Sequence, residues 1–122
     1  MVFQISQNIE DPRRLTQAVL QIVQMLELYQ AELARILHMN CSDIGELAAA
    51  RRCLEPGTDA WGQAQLLVRC YRALYERLDG DGVAMRHWLR VPQPGLEGVP
   101  HLLIVDDDRL RMVVACLENG VS

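Results

Sequence analysis

The sequence predicts an all-α protein, on three observations. Apolar residues recur at i, i+3, i+4 and i+7 through most of the chain. The periodic stretches are separated by helix-capping residues and by Pro/Gly breaks. Only one short apolar run, His101 to Val105, is ambiguous between strand and buried helix, because five residues are too few to separate the two periods.

The elements follow in order. Leu15, Ala18, Val19, Ile22, Val23 and Leu26 line one face of a first helix from residue 12 to about 28. Asp11 offers its capping oxygen, and Pro12 sits at the first helical position, where a missing amide costs nothing. A short second helix covers Gln30 to Leu37 with Leu33, Ala34 and Leu37 inward, and the turn His38-Met39-Asn40-Cys41 follows. A third helix starts near Ser42 with Ile44, Leu47 and Ala48 inward; its alanine run favours continuation up to Pro56-Gly57. Thr58 or Asp59 caps a fourth helix to about Leu78, with Trp61, Ala64, Leu67, Val68, Tyr71, Leu74, Tyr75 and Leu78 on one broad stripe. Asp79-Gly80-Asp81-Gly82 breaks it. A fifth helix spans about Val83 to Arg90, and Trp88 is expected as a core residue between the fifth and last helices. Residues 92 to 100, with three prolines and two glycines, form an ordered loop. The last helix runs from about Asp107 to Leu117 with Leu110, Val113, Val114 and Leu117 inward, and Gly120 stands where a glycine stop belongs.

Composition narrows the function classes. A chain of 122 residues is long enough for one self-standing core, and 50% apolar content with a net charge of −4 excludes intrinsic disorder. No window approaches 18 uncharged apolar residues, so no membrane span is expected, and the first residues lack the layout of a signal peptide. A cytoplasmic protein is the expectation, and Cys41, Cys53, Cys70 and Cys116 are then reduced and mostly buried. All 12 basic residues are arginine. His38, Cys41 and Cys53 lack the two tight ligand pairs of a structural zinc site. No thiol carries a catalytic signature beside His38, His87 or His101, and no phosphate loop, GxGxxG or HExxH occurs. Asp106, Asp107 and Asp108 are expected as acids at the start of the last helix, favoured by its dipole. Neither an enzyme nor a cofactor or metal site is expected.

Two short helices and a tight turn after a long first helix have the geometry of a helix-turn-helix. The segment from Leu28 to Leu37 (LYQAELARIL) is similar to the opening of Xre-type repressor domains. That resemblance implies that Gln30 meets a phosphate and that the third helix, with Ser42, Asp43 and Glu46 and then Arg51 and Arg52, faces operator DNA. The chain departs from the pattern at His38, where the family usually has glycine, a position that demands a left-handed backbone. The acids Asp43 and Glu46 repel phosphates, so a helix-turn-helix used only for packing or dimerisation stands beside the DNA-binding reading.

The C-terminal half carries more separated features. His87-Trp88-Leu89-Arg90-x-Pro92 is followed by Leu96-x-Gly98-x-Pro100-x-Leu102-Leu103, and then by Leu110, Val114, Leu117 and Gly120. In this order they resemble the toxin-binding domain of the MbcA/ParS/Xre antitoxin family over roughly residues 60 to 122. The chain departs from that family at Gln93-Pro94 and at Asp106 to Arg109. The resemblance implies a short helix over His101 to Val105. It also implies an organisation into residues 1–57, an Xre-like helix-turn-helix region, and residues 58–122, a toxin-binding region.

Function follows from the resemblance as an expectation. The chain is expected to be an antitoxin that occludes the active site of a cognate RES-domain toxin, which attacks NAD, and to repress its operon as a homodimer. Toxin contact falls on Arg86, Arg90, Arg109 and Arg111 and on the tail residues Glu118, Asn119, Val121 and Ser122. A stand-alone dimeric DNA-binding regulator and an adaptor with a non-DNA-binding helix-turn-helix are the alternatives. Acids on the third helix, with arginines flanking it and along the C-terminal half, argue more for a protein partner than for strong DNA binding.

Overall fold

A computed structural model describes residues 8–119 and is all-helical, with seven helices and no strand among the described residues. They are α1 (Pro12–Met25), α2 (Gln30–Leu37), α3 (Cys41–Ala48), α4 (Asp59–Arg77), α5 (Gly82–Arg90), α6 (Pro100–Val105) and α7 (Leu110–Glu118). The expected stop at Gly120 and the tail residues Val121 and Ser122 lie outside the described residues.

Helix α4 is the axis. It packs against α1, α2, α5 and α7, while α6 bridges α2, α5 and α7. Its residues Ala64 to Val68 are therefore buried all round instead of on one stripe, and Tyr75, expected inward, stands 47% exposed at the far end. One continuous core runs from Leu15 and Val19 on α1 through Leu33 and Leu37 on α2, Ile44 and Leu47 on α3 and Leu67 and Leu74 on α4, to Val113 and Leu117 on α7. Each such side chain stabilises the fold by about 1.5–3 kcal/mol relative to exposure. Trp88 is half-buried against this core.

The starts of the helices follow local chemistry. The Asp11 carboxylate accepts from the amides of Arg13 (2.9 Å) and Arg14 (3.4 Å). Thr58 Oγ1 accepts from Trp61 N, and Asp81 Oδ1 from Ala84 N. Pro100 opens α6, so the ambiguous run at 101–105 is helix, as the family resemblance implies.

The ends of α1 and α3 depart from expectation, for one repeated reason. Glu27, His38, Ala50 and Asp108 adopt positive φ (57°, 59°, 60° and 55°) and close helix ends without glycine. Helix α1 thus ends at Met25, and Leu28 N reaches back to Val23 O at 2.8 Å. Helix α3 ends at Ala48, well before Pro56, with Arg51 N on Glu46 O at 2.9 Å. Ala48, expected inward, is exposed in this last turn. The early stop lets Leu54 turn into the core, where its amide donates to Thr16 Oγ1 at 2.9 Å. Tertiary packing here overrides the helix propensity of the alanine run.

Two further side chains stitch irregular backbone to helices. Gln65, buried on α4, both accepts from Ile9 N (3.2 Å) and donates to Ile9 O (2.6 Å). In the 92–99 loop, Gln93 N donates to Gly98 O and Gln93 Nε2 to Trp88 O, each at 3.0 Å, and Leu96 is buried beneath. Gln93 therefore holds the loop closed.

Candidate functional site

The segment expected to form a helix-turn-helix comprises α2, the turn 38–40 and α3. Its second helix is capped by its own first residues. Asn40 Oδ1 accepts from Asp43 N at 2.9 Å and from Ser42 Oγ at 2.7 Å, while Asp43 Oδ2 accepts from Asn40 N at 3.4 Å. Ser42 is thus exposed but engaged, and Asp43 is half-buried. The acids on α3 are not left bare: Arg52 Nη1 lies 2.9 Å from Asp43 Oδ1 and 3.5 Å from Glu46 Oε1. Asp43, Glu46 and Arg52 thus form one cluster of net charge −1. Gln30 and Arg51 are exposed, and Arg51 has no ion pair among the described residues.

Helix α2 faces the C-terminal half across a seam of charges. Glu32 accepts from Tyr29 N at 2.9 Å with one oxygen and meets His101 Nε2 on α6 at 2.5 Å with the other, both side chains being 19% exposed. Arg35 donates to Asp106 at 2.5 Å. His38 bonds Asp59 through Nδ1 and Asp108 through Nε2, the latter at 2.7 Å. The hydrogen bonds from Asp108 and Asp59 raise the His38 pKa above 6.5, against a smaller opposing effect of burial.

The acids Asp106 to Asp108 therefore do not cap the last helix. That helix starts at Leu110 with Arg109 before it and no side-chain cap, and Asp106 and Asp108 reach across to α2 and its turn. The first-turn dipole is a short-range attraction worth a few tenths to 1 kcal/mol, and a facing arginine or imidazolium competes with it directly.

The arginines singled out in the C-terminal half divide into two groups. Arg90 donates to Leu26 O (2.9 Å) and Glu27 O (3.0 Å), and Arg86 donates to Met25 O (3.2 Å) with Glu27 at 3.5 Å. Both therefore neutralise the carbonyl end of α1 and lock α5 against it. Arg109 and Arg111 are exposed and make no ion pair among the described residues. Arg109 immediately precedes α7 and Arg111 lies on it beside exposed Met112 and Ala115, with Asn119 just beyond the helix. Glu118 is engaged by Arg69 through two hydrogen bonds, 3.0 and 2.5 Å long.

Of the cysteines, only Cys70 is buried; Cys41 is exposed and the other two are half-buried, against the expectation of mostly buried thiols. Cys41 is the first residue of α3, where no neighbouring helix covers it. Burial pushes the Cys70 thiol up to about 12, with the Glu118 charge adding to it. No group of three or more His, Cys, Asp or Glu among the described residues could hold a metal ion. An apolar cavity of about 10 Å³ between Leu26, Ile36, Leu67 and Ile104 has room for one water at most. No described helix is long and apolar enough to cross a membrane.

Sequence reasoning missed the His38 clamp and the Arg86/Arg90 contacts. A non-glycine residue at a position requiring positive φ was the one available signal for the first; the second leaves no local trace. No family model matches the chain, and no curated protein does.

Proposed function

We propose that the chain is an antitoxin of the MbcA/ParS/Xre kind, which binds a RES-type, NAD-degrading toxin and covers its cleft with α7 and the tail. The observation that carries this reading is the outward face of α7. Arg111, Met112 and Ala115 are presented on a helix whose other side, Leu110, Val113, Val114 and Leu117, is fixed in the core, and exposed Arg109 immediately precedes it. Two guanidinium groups without internal ion pairs beside an exposed methionine are a combination that recurs at the centres of protein interfaces. A rigid helix loses little entropy on docking, so such a face suits inhibition by occlusion. The order of Trp88-Leu89, the proline-containing loop, the Pro100-opened short helix and the terminal helix supports the same family.

The mechanism requires no chemistry from this chain. Helices α4 to α6 form the platform, α7 and the tail residues fill the entrance, and the arginines meet acidic or polar groups at its rim. The deciding experiment is co-purification with the product of the adjacent reading frame, followed by NAD consumption. A complex that stops NAD consumption, weakened in the Arg109→Glu, Arg111→Glu variant, is the expected result. Failure to bind a RES-like protein would sink the reading.

A second reading rests on Arg52. By holding Asp43 and Glu46 it cancels one of the two negative charges that those acids offer to phosphates, and Arg51 is left exposed nearby. Repression of the chain's own operon by a dimer is compatible with that arrangement. Salt-sensitive gel shifts with the upstream region, lost on Arg51→Ala, test it; binding by that variant equal to wild type removes Arg51 from the argument.

A further inference from the structure

The turn between α2 and α3 is held by one ring with a carboxylate at each nitrogen. His38 comes from the turn, Asp59 is the first residue of α4, and Asp108 belongs to the connection between α6 and α7. A neutral imidazole has one N–H and one lone pair, and a carboxylate only accepts. The neutral ring can therefore satisfy one aspartate, while its bare nitrogen faces the oxygen of the other. Only the imidazolium donates to both.

Several charged groups on the surrounding elements are committed elsewhere. Arg35 on α2 is taken by Asp106, Asp43 on α3 by Arg52, and Glu32 by His101 of α6. Asp59 and Asp108 have no other ion-pair partner among the described residues, Asp107 and Arg109 flank Asp108 in the chain, and Cys41 opens α3.

We propose that His38 is a proton-operated latch on the helix-turn-helix: its imidazolium clamps the turn to α4 and to the α6–α7 connection, and loss of the proton to solvent releases one side of that clamp. Opening is local. The Arg35–Asp106 and Glu32–His101 pairs keep α2 docked, so the part set free is the turn and the first residues of α3, Met39 to Asp43. The setting of α3 against the C-terminal half thus becomes pH-dependent, whichever partner the protein binds. The sign follows from the raised pKa of the folded ring: the clamp's contribution is complete below 6.5 and is lost as pH rises through the folded value.

The test is an NMR titration of the full chain that follows the His38 ring nitrogens and the amides of Met39 and Asp43. The ring should titrate above 6.5, with both nitrogens protonated at low pH. Amide protection, corrected for the intrinsic pH dependence of exchange, should fall through the same midpoint. Asp108→Asn and Asp59→Asn should each move that midpoint down; asparagine tolerates the positive φ of residue 108, so the connection survives. His38→Asn keeps a left-handed residue in the turn but cannot ionise, and should make the protection independent of pH. A midpoint at or below 6.5, a midpoint unmoved in both aspartate variants, or protection that stays constant through the titration overturns the latch.

Discussion

Thr16 is one of only two buried polar side chains in the described core, and its hydroxyl joins two segments 38 residues apart. Oγ1 donates to Pro12 O at 2.8 Å, inside α1, and accepts from Leu54 N at 2.9 Å, in the connection between α3 and α4. Thr16→Val keeps the shape and removes the oxygen. Pro12 O retains its backbone partner in the helix, but the Leu54 amide is stranded in a buried position. A stranded buried donor costs about 1–3 kcal/mol, and the more apolar valine offsets part of this. The net loss is about 2 kcal/mol. Unfolding entropy of about 2 cal/mol/K per residue then places the melting temperature about 8 °C lower. Thr16→Ser is the control: it keeps both hydrogen bonds and loses one methyl group, worth about 1 kcal/mol. Urea and thermal unfolding give the stabilities, and hydrogen exchange at the Leu54 amide separates the two variants. Protection there should persist with serine and collapse with valine. A valine variant as stable as wild type, with the Leu54 amide still protected, would refute the assignment of this bond.

Four further outcomes follow from the same structure. Arg90→Ala should destabilise by about 1–2 kcal/mol in urea unfolding, because two carbonyls at the end of α1 lose a charged donor; Arg90→Lys should restore only part, since one ammonium cannot reproduce a planar fork. Ala50→Gly should stabilise by up to about 1 kcal/mol, raising the melting temperature by about 4 °C, since φ is 60° there and the relieved strain exceeds glycine's added chain entropy. The Cys70 thiol keeps its proton in the folded chain until about pH 12, whereas the unfolded thiol loses it near 9.0. Stability should accordingly fall with rising pH across that window, by at most about 1.4 kcal/mol per unit, and less steeply in Cys70→Ala. Alkylation with peptide mapping at pH 8 should modify exposed Cys41 first and Cys70 only on unfolding.

The helices were legible because their signals are local. Asp11-Pro12 and Thr58 each mark a start within a few residues of the helix that they cap, and the inward faces of α1, α2 and α7 follow from the 3.6-residue period alone. The ends of α1 and α3 were misplaced because Glu27 and Ala50 close them with positive φ, a state that neither residue type advertises. Tyr75 and Ala48 were assigned inward by the same periodicity, and failed where a helix outruns its neighbours. The ordered Trp, Pro, Gly and Leu positions of the C-terminal half were likewise legible. Which arginines face outward was not.

By itself, then, the sequence determined the all-helical class, the starts of most helices and the stripes that they bury. All of these depend on residues within about two turns of one another. Only the tertiary structure decided what each charge does. Arg35 finds Asp106, His38 finds Asp108, His101 finds Glu32 and Arg90 finds Leu26 O across 64 to 71 residues of chain. An ion pair is set by where two helices cross, and a crossing is a product of the whole core. Arg86 and Arg90 are drawn inward to the end of α1, whereas Arg109 and Arg111 stay exposed.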